Sequence, residues 1–172
     1  MGLLAVICPL DITAGDRAWI ANIRSRHDPQ HVFVEPHFTL VFPLAGVGSA
    51  ALARHVEQIA ERTSAIAFRL NRAVAVRDSL APQTHVFLTP DTGDLEIRNL
   101  HGTLYSGELS SRLRADILYQ PHVTVAAFDS ETAAERLIDE IGEFEILGSL
   151  RALAIMSVNK GTITRQLLLP LL

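Results

Sequence analysis

The chain has 172 residues, 48% of them apolar and 20% charged, with a formal net charge of −4. A chain of this length buries roughly two thirds of its unfolded surface in a core, so a single folded, soluble domain is expected that needs neither a metal nor disulfides to hold it. A pI near 5.9 leaves no broad basic face for a long nucleic-acid backbone, so any nucleic-acid substrate is expected to be an end or a small piece.

The N-terminal stretch Met1 to Leu10 is apolar but short, lacks a basic start and meets Pro9 and Asp11 at once, so it reads as a strand, LLAVICP over 3–9, rather than a leader. No run approaches the roughly 20 apolar residues of a membrane span. Cys8 is the only cysteine, which argues against a disulfide framework or a cysteine zinc site and suits a reducing cytoplasm.

A helix is expected from about Ala14 to Arg26, with Trp19, Ile20 and Ile23 on one side. The run from His31 to Pro43 alternates and is rich in Val and Phe, the pattern of a strand pair or of one long strand interrupted near Pro36. Ser49 reads as the cap of a helix to about Thr63 that buries Leu52, Val56 and Ile59, and the strand AIAFRLNRAVAVRD follows. From Thr84 the order repeats: strand HVFLTP, helix from about Asp94 to Tyr105, strand YQPHVTVAAF, helix from about Glu131 to Ile141, strand LRALAIMSV. The Asn159-Lys160-Gly161 turn then returns the chain as ITRQLLLP, with Asn and Gly supplying the positive φ of a tight hairpin.

Laid on each other, the halves align AVICP with VFLTP, PHFTLVF with PHVTVAAF, and RAVAV with RALAI, in one order. Chance likeness of β-rich segments does not explain why His37 and His122 both follow a proline and both precede a threonine by two. The expectation is one domain, residues 1–172, with an internal duplication of about 1–80 and 81–172.

Side chains at i and i+2 of a strand share a face, about 7 Å apart. His37 therefore points with Thr39, and His122 with Thr124, so each half offers an imidazole for proton transfer and a hydroxyl for a phosphate oxygen. Phosphodiester hydrolysis needs a base for water and an acid for the departing oxygen, and imidazole serves as either near neutral pH. Two related strands facing each other place those groups on opposite sides of one phosphorus. Glu35 shares the face of His37 and is a conceivable third metal ligand, but the threonines would then have no role. No metal and no cofactor is expected.

PHFTL and PHVTV resemble the paired His-x-Thr-x signatures of the two-histidine phosphoesterase superfamily, which includes the bacterial 2′-5′ RNA ligase-like proteins and cyclic nucleotide phosphodiesterases. The resemblance covers nearly the whole chain. It implies an α+β, bilobal fold of two duplicated β-α-β-α-β halves, two antiparallel-type sheets facing a central cleft, and helices on the outside. It also implies His37 and His122 as acid and base, Thr39 and Thr124 as phosphate binders, and metal-independent hydrolysis of a small cyclic phosphodiester such as a nucleoside 2′,3′-cyclic phosphate. RNA 2′-5′ end joining or its reversal, and a non-catalytic nucleotide or RNA-end binding protein, are the alternatives. The partner is thus a small nucleotide or RNA end; the sequence sets no oligomeric state.

Five further residues are possible substrate contacts. Glu35 and Gln120 occupy matching places before the histidines, and Arg72 and Arg151 match at the starts of equivalent strands. Tyr119, like Phe33, is either a base-stacking ring or core. His85 opens its strand and belongs to the cleft rim or the surface, while His27, His31, His55 and His101 read as scaffold or surface.

Overall fold

The structure is a computed structural model that describes residues 2–79 and 81–172. Among these, the strands are β1 (Leu3–Ile12), β2 (His37–Leu44), β3 (Ile66–Arg77), β4 (Thr84–Thr92), β5 (Val123–Phe128), β6 (Ile146–Leu150), β7 (Ala152–Asn159) and β8 (Thr162–Pro170). The helices are α1 (Ala14–His27), α2 (Ser49–Ala60), α3 (Asp94–Leu104) and α4 (Glu131–Ile141), with 3-10 turns at Pro29–Val32 and Gly107–Arg112.

Caps start two of the helices: Thr13 accepts from the Asp16 amide at α1, and Ser130 from the Ala133 amide at α4. Ser49 does not cap α2. The cap position is Gly48, in extended conformation, and Ser49 is already helical.

The fold is α+β, as expected, with every strand pair antiparallel. Two sheets share β1. The first runs β2-β1-β7-β8 and the second β1-β6-β3-β4-β5, because Leu3–Ile7 pair with β7 whereas Leu10–Ile12 pair with β6. The two halves of the sequence interleave: β3, from the first half, completes the sheet of β4 and β5, and β7, from the second, completes that of β1 and β2. The helices cross over as well, α1 packing on β5 and α3 on β2, while α4 covers β3–β5 and α2 covers β7 and β8. One core results. Phe38 of β2 meets Phe68 of β3 edge to face at 5.4 Å, and Val6, Cys8, Leu40, Leu88, Val123 and Leu153 join the same cluster.

Two expected strands are shorter than the sequence suggested. In the run from His31 to Pro43 the strand begins only at His37, because Asp28 accepts from the Gln30 amide and Pro29 fixes the first turn of a 3-10 segment instead. Buried Arg24 then grips that segment, bonding Asp28 at 2.8 Å and the Val34 carbonyl at 2.9 Å. LRALAIMSV breaks at Arg151, where the chain leaves β6 in one sheet and enters β7 in the other. Within β6, Gly148 lets the strand lie close between β1 and β3, since a Cβ there would lie 2.8 Å from the Asp11 carbonyl oxygen and closer still to the Phe68 ring. Among the described residues no helix is long and apolar enough to cross a membrane.

Candidate active site

The segments Glu35–Thr39 and Gln120–Thr124 repeat one burial pattern: exposed, buried, partly buried, buried, partly buried. Neither proline disturbs the alternation. Pro36, Phe38 and Leu40 turn into the protein on one strand and Pro121, Val123 and Val125 on the other, so both His–Thr pairs lie on the opposite face. The strands themselves approach each other, and the Tyr119 hydroxyl, just before β5, donates to the Thr39 carbonyl of β2 at 2.8 Å. The two histidines are close enough that the charge of His37 acts on His122.

Each imidazole is held in the same way. Nδ1 of His37 bonds the Glu35 carbonyl and Nδ1 of His122 the Gln120 carbonyl, both at 2.7 Å. A carbonyl only accepts, so Nδ1 is the protonated nitrogen and the neutral ring carries its lone pair on Nε2. Nε2 can take a proton or, once protonated, give one. Burial pushes both rings down from the ordinary imidazole value, against the opposing effect of the carbonyl bonds. His122 falls to about 4, with His37 and His85 adding smaller effects in the same direction.

Phe87 is a neighbour that the sequence reading did not single out. Its ring stacks on His122, and His85 lies behind it, 5.8 Å away and nearly parallel. No pattern within one strand points to it, because Phe87 meets His122 through the pairing of β4 with β5, in which Phe87 lies across from Thr124. Ile7 pairs with Thr39 in the other lobe, so Ile7 and Phe87 are equivalents. The alignment of Pro9 with Pro90 is therefore out of step by one residue.

The same shift corrects the match between Arg72 and Arg151. Val74 lies across from Phe87 and Ala154 across from Ile7, which makes Ala152 the counterpart of Arg72. Exposed Arg72 pairs with Thr89, whose neighbour Leu88 pairs with Val123, in the row leading towards His122. Arg151 instead bonds Asp11 at 2.7 Å and Ser149 at 3.0 Å, and lines a cavity beside Pro9.

Tyr119 is core rather than a stacking platform. It is buried, its ring lies flat on His101 at 3.7 Å, its hydroxyl is spent on Thr39, and Arg98 donates to its carbonyl. His101 and His55 are scaffold, bonding the Leu40 and Leu104 carbonyls. Glu35 is exposed beside Arg17 and Arg165, and the Gln120 side chain is exposed. Cys8 is buried, its thiol donating to the Ala152 carbonyl, and burial raises it to about 12, out of reach of nucleophilic use near neutral pH.

A family model described as the 2′-5′ RNA ligase superfamily matches residues 13–162. The chain belongs to the 2′-5′ RNA ligase superfamily. A protein of Bacillus licheniformis that carries the name "Putative phosphoesterase" is 27% identical over 135 residues, which are 77% of this chain and 71% of that one. Among solved structures, Escherichia coli LigT complexed with 3′-AMP superposes with a TM-score of 0.57 at 18% identity, over 99% of this chain and 98% of that one. A Thermus thermophilus protein gives 0.65 at 16% identity over 98% and 97%. At such identities these two likenesses concern the fold of the superfamily alone.

Proposed function

We propose that this member of the 2′-5′ RNA ligase superfamily hydrolyses a small cyclic phosphodiester, a nucleoside 2′,3′-cyclic phosphate or a close relative, by acid-base catalysis without a metal. The observation that carries the reading is the matched pair of imidazoles, each fixed through Nδ1 to the carbonyl two residues before it, with Nε2 left for substrate. One Nε2 takes a proton from water as the water oxygen bonds to phosphorus. The other, protonated, gives its proton to the ribose oxygen as the bond from phosphorus to that oxygen breaks, leaving a nucleoside monophosphate. By resemblance His37 is assigned the acid role and His122 the base. Thr39 and Thr124 donate to the non-bridging oxygens, and Arg72 adds positive charge from its row.

That E. coli LigT has been solved with 3′-AMP, with ATP and with phosphate supports a small nucleotide as the ligand here. The superfamily's name brings in RNA 2′-5′ end joining as the second reading, and the net negative charge of this chain disfavours it where a long RNA must be held. A single buried thiol suits a cytoplasmic setting. Incubating the purified protein, in EDTA, with 2′,3′-cyclic mononucleotides, ADP-ribose cyclic phosphate and 2′-5′ dinucleotides tests the proposal. Opening of a cyclic phosphate to a monoester is expected. Turnover that EDTA abolishes and zinc or manganese restores would overturn the metal-free mechanism, and binding with no turnover of any compound would leave a non-catalytic binding protein.

A further inference from the structure

We infer that the cavity beside His37 is a nucleobase site that selects guanine through the carboxylate of Glu35. The inference rests on the reading of the two-histidine cleft as a nucleotide site, and it adds which nucleotide.

The cavity, about 230 Å³, begins at Pro9, the residue paired with His37. Its floor is Ile7, Val34, Ala154 and Met156, all buried, and they form an apolar cluster separate from the main core. This patch lies on the face of the first sheet that carries His37 and Thr39. In the main core, burying apolar side chains joins helices to sheets; here the apolar surface instead underlies an open cavity. Phe33, 44% exposed, forms part of the wall. A flat ring over an apolar floor with an aromatic edge beside it is how unstacked bases are commonly held.

The polar groups at the cavity are Glu35 and Arg165. Three aspartates in this protein hold arginine tightly, Asp91 with Arg69 at 2.6 and 2.8 Å, Asp116 with Arg114 at 2.7 and 2.9 Å, and Asp11 with Arg151 at 2.7 Å, whereas Glu145 lies 3.6 Å from Arg69. Glu35 has an arginine on each side and holds neither so closely, with Arg17 at 3.5 Å and Arg165 at 3.8 Å. Charge-assisted bonds of this type close to about 2.7–2.9 Å, so both oxygens of Glu35 keep acceptor capacity. The two guanidiniums meanwhile offset its negative charge, which otherwise would oppose a phosphate at the neighbouring His37. A carboxylate whose two oxygens each keep a lone pair for a further donor fits a pair of adjacent N–H donors. Among the four RNA bases, guanine presents such a pair, N1–H and the N2 amino group; adenine and cytosine pair one amino group with an acceptor, and uracil offers a single N–H between two carbonyls.

Calorimetric titration of the intact protein with guanosine, adenosine, cytidine and uridine 3′-monophosphates tests this without turnover. The guanosine compound is expected to bind about tenfold tighter or better, the effect of one two-point hydrogen-bonded contact. Glu35→Gln keeps the backbone carbonyl that holds His37 but puts an amide where the second acceptor was, so the guanosine preference should fall to within about threefold while the other three compounds are little changed. Phe33→Ala should weaken all four alike. Equal binding of the four bases, no binding of any, or a guanosine preference that survives Glu35→Gln would overturn the assignment. Guanosine-selective binding without hydrolysis of any cyclic phosphate would instead keep the site and refute the proposed reaction. Hydrolysis of all four cyclic nucleotides with equal affinity would do the reverse.

Discussion

Phe87 lies flat against His122, ring centroids 3.7 Å apart and planes 18° from parallel, whereas the position equivalent to Phe87 beside His37 is held by Ile7. The stack excludes water from one face of His122 and fixes the ring on its Gln120 bond. It makes two otherwise matched histidines unequal.

Phe87→Leu should therefore raise the titration midpoint of His122 from its value of about 4 towards the ordinary imidazole range, while His37 moves little. Histidine ring signals followed by NMR against pH report both at once. If the His122 midpoint stays put in the variant, the stack is not what depresses it.

Division of labour between the histidines is tested by turnover. Replacing His37 or His122 with Ala is expected to lower kcat about 100-fold or more, and replacing both to cost much less than the product of the two. A substrate with an activated leaving group needs little acid help, so it should rescue His37→Ala and not His122→Ala. Equal rescue of both would show that the roles are not divided in this way.

Both imidazoles titrate below their ordinary value of about 6.5. In the free protein at pH 7 both are then neutral, and the proposed reaction requires one of them to gain a proton and serve as acid. The profile of kcat/KM is expected to peak below pH 6.5, and that of kcat higher, because a bound phosphate anion favours the charged ring. A kcat/KM maximum above pH 8 would contradict it.

Stability should follow the same groups. Since the folded-state value of His122 lies under the unfolded one, the unfolded chain binds protons first as pH falls. The stability present above about pH 6.5 is lost as pH drops towards 4, and His122→Asn should flatten that part of a urea-unfolding series. A slope unchanged by the substitution would assign the acid sensitivity to other groups.

Tyr119→Phe separates a structural from a substrate-contacting role. Losing the partly buried bond to the Thr39 carbonyl should cost about 1 kcal/mol of stability. KM should stay within about twofold, because the hydroxyl faces β2 and not the cleft. A large rise in KM with stability intact would return Tyr119 to the substrate.

Much of this was legible in the chain. Alternation around His37 and His122 gave the faces of both motifs, because a strand has a period of two wherever its residues sit. Helix patterns gave all four helices within a few residues. Local chemistry also misled: the Val and Phe run after His31 looks like strand, yet Asp28, Pro29 and the buried Arg24 take its first part into a turn that now walls the cavity beside His37.

What the sequence by itself determined is the pair of motifs, their spacing and the α+β alternation, all properties of short segments. Which strand closes which sheet was decided only in three dimensions: β3 and β7 exchange between the halves, and β1 serves both sheets. Hydrogen-bond register, not residue likeness, then fixes which positions are equivalent. The register of β3 on β4 and of β7 on β1 puts Arg72 out of line with Arg151, and the pairing of β4 with β5 makes Phe87, not a residue read from the motif, the partner of His122. Long-range pairing depends on how whole sheets pack over one core, and no window of the sequence contains that information.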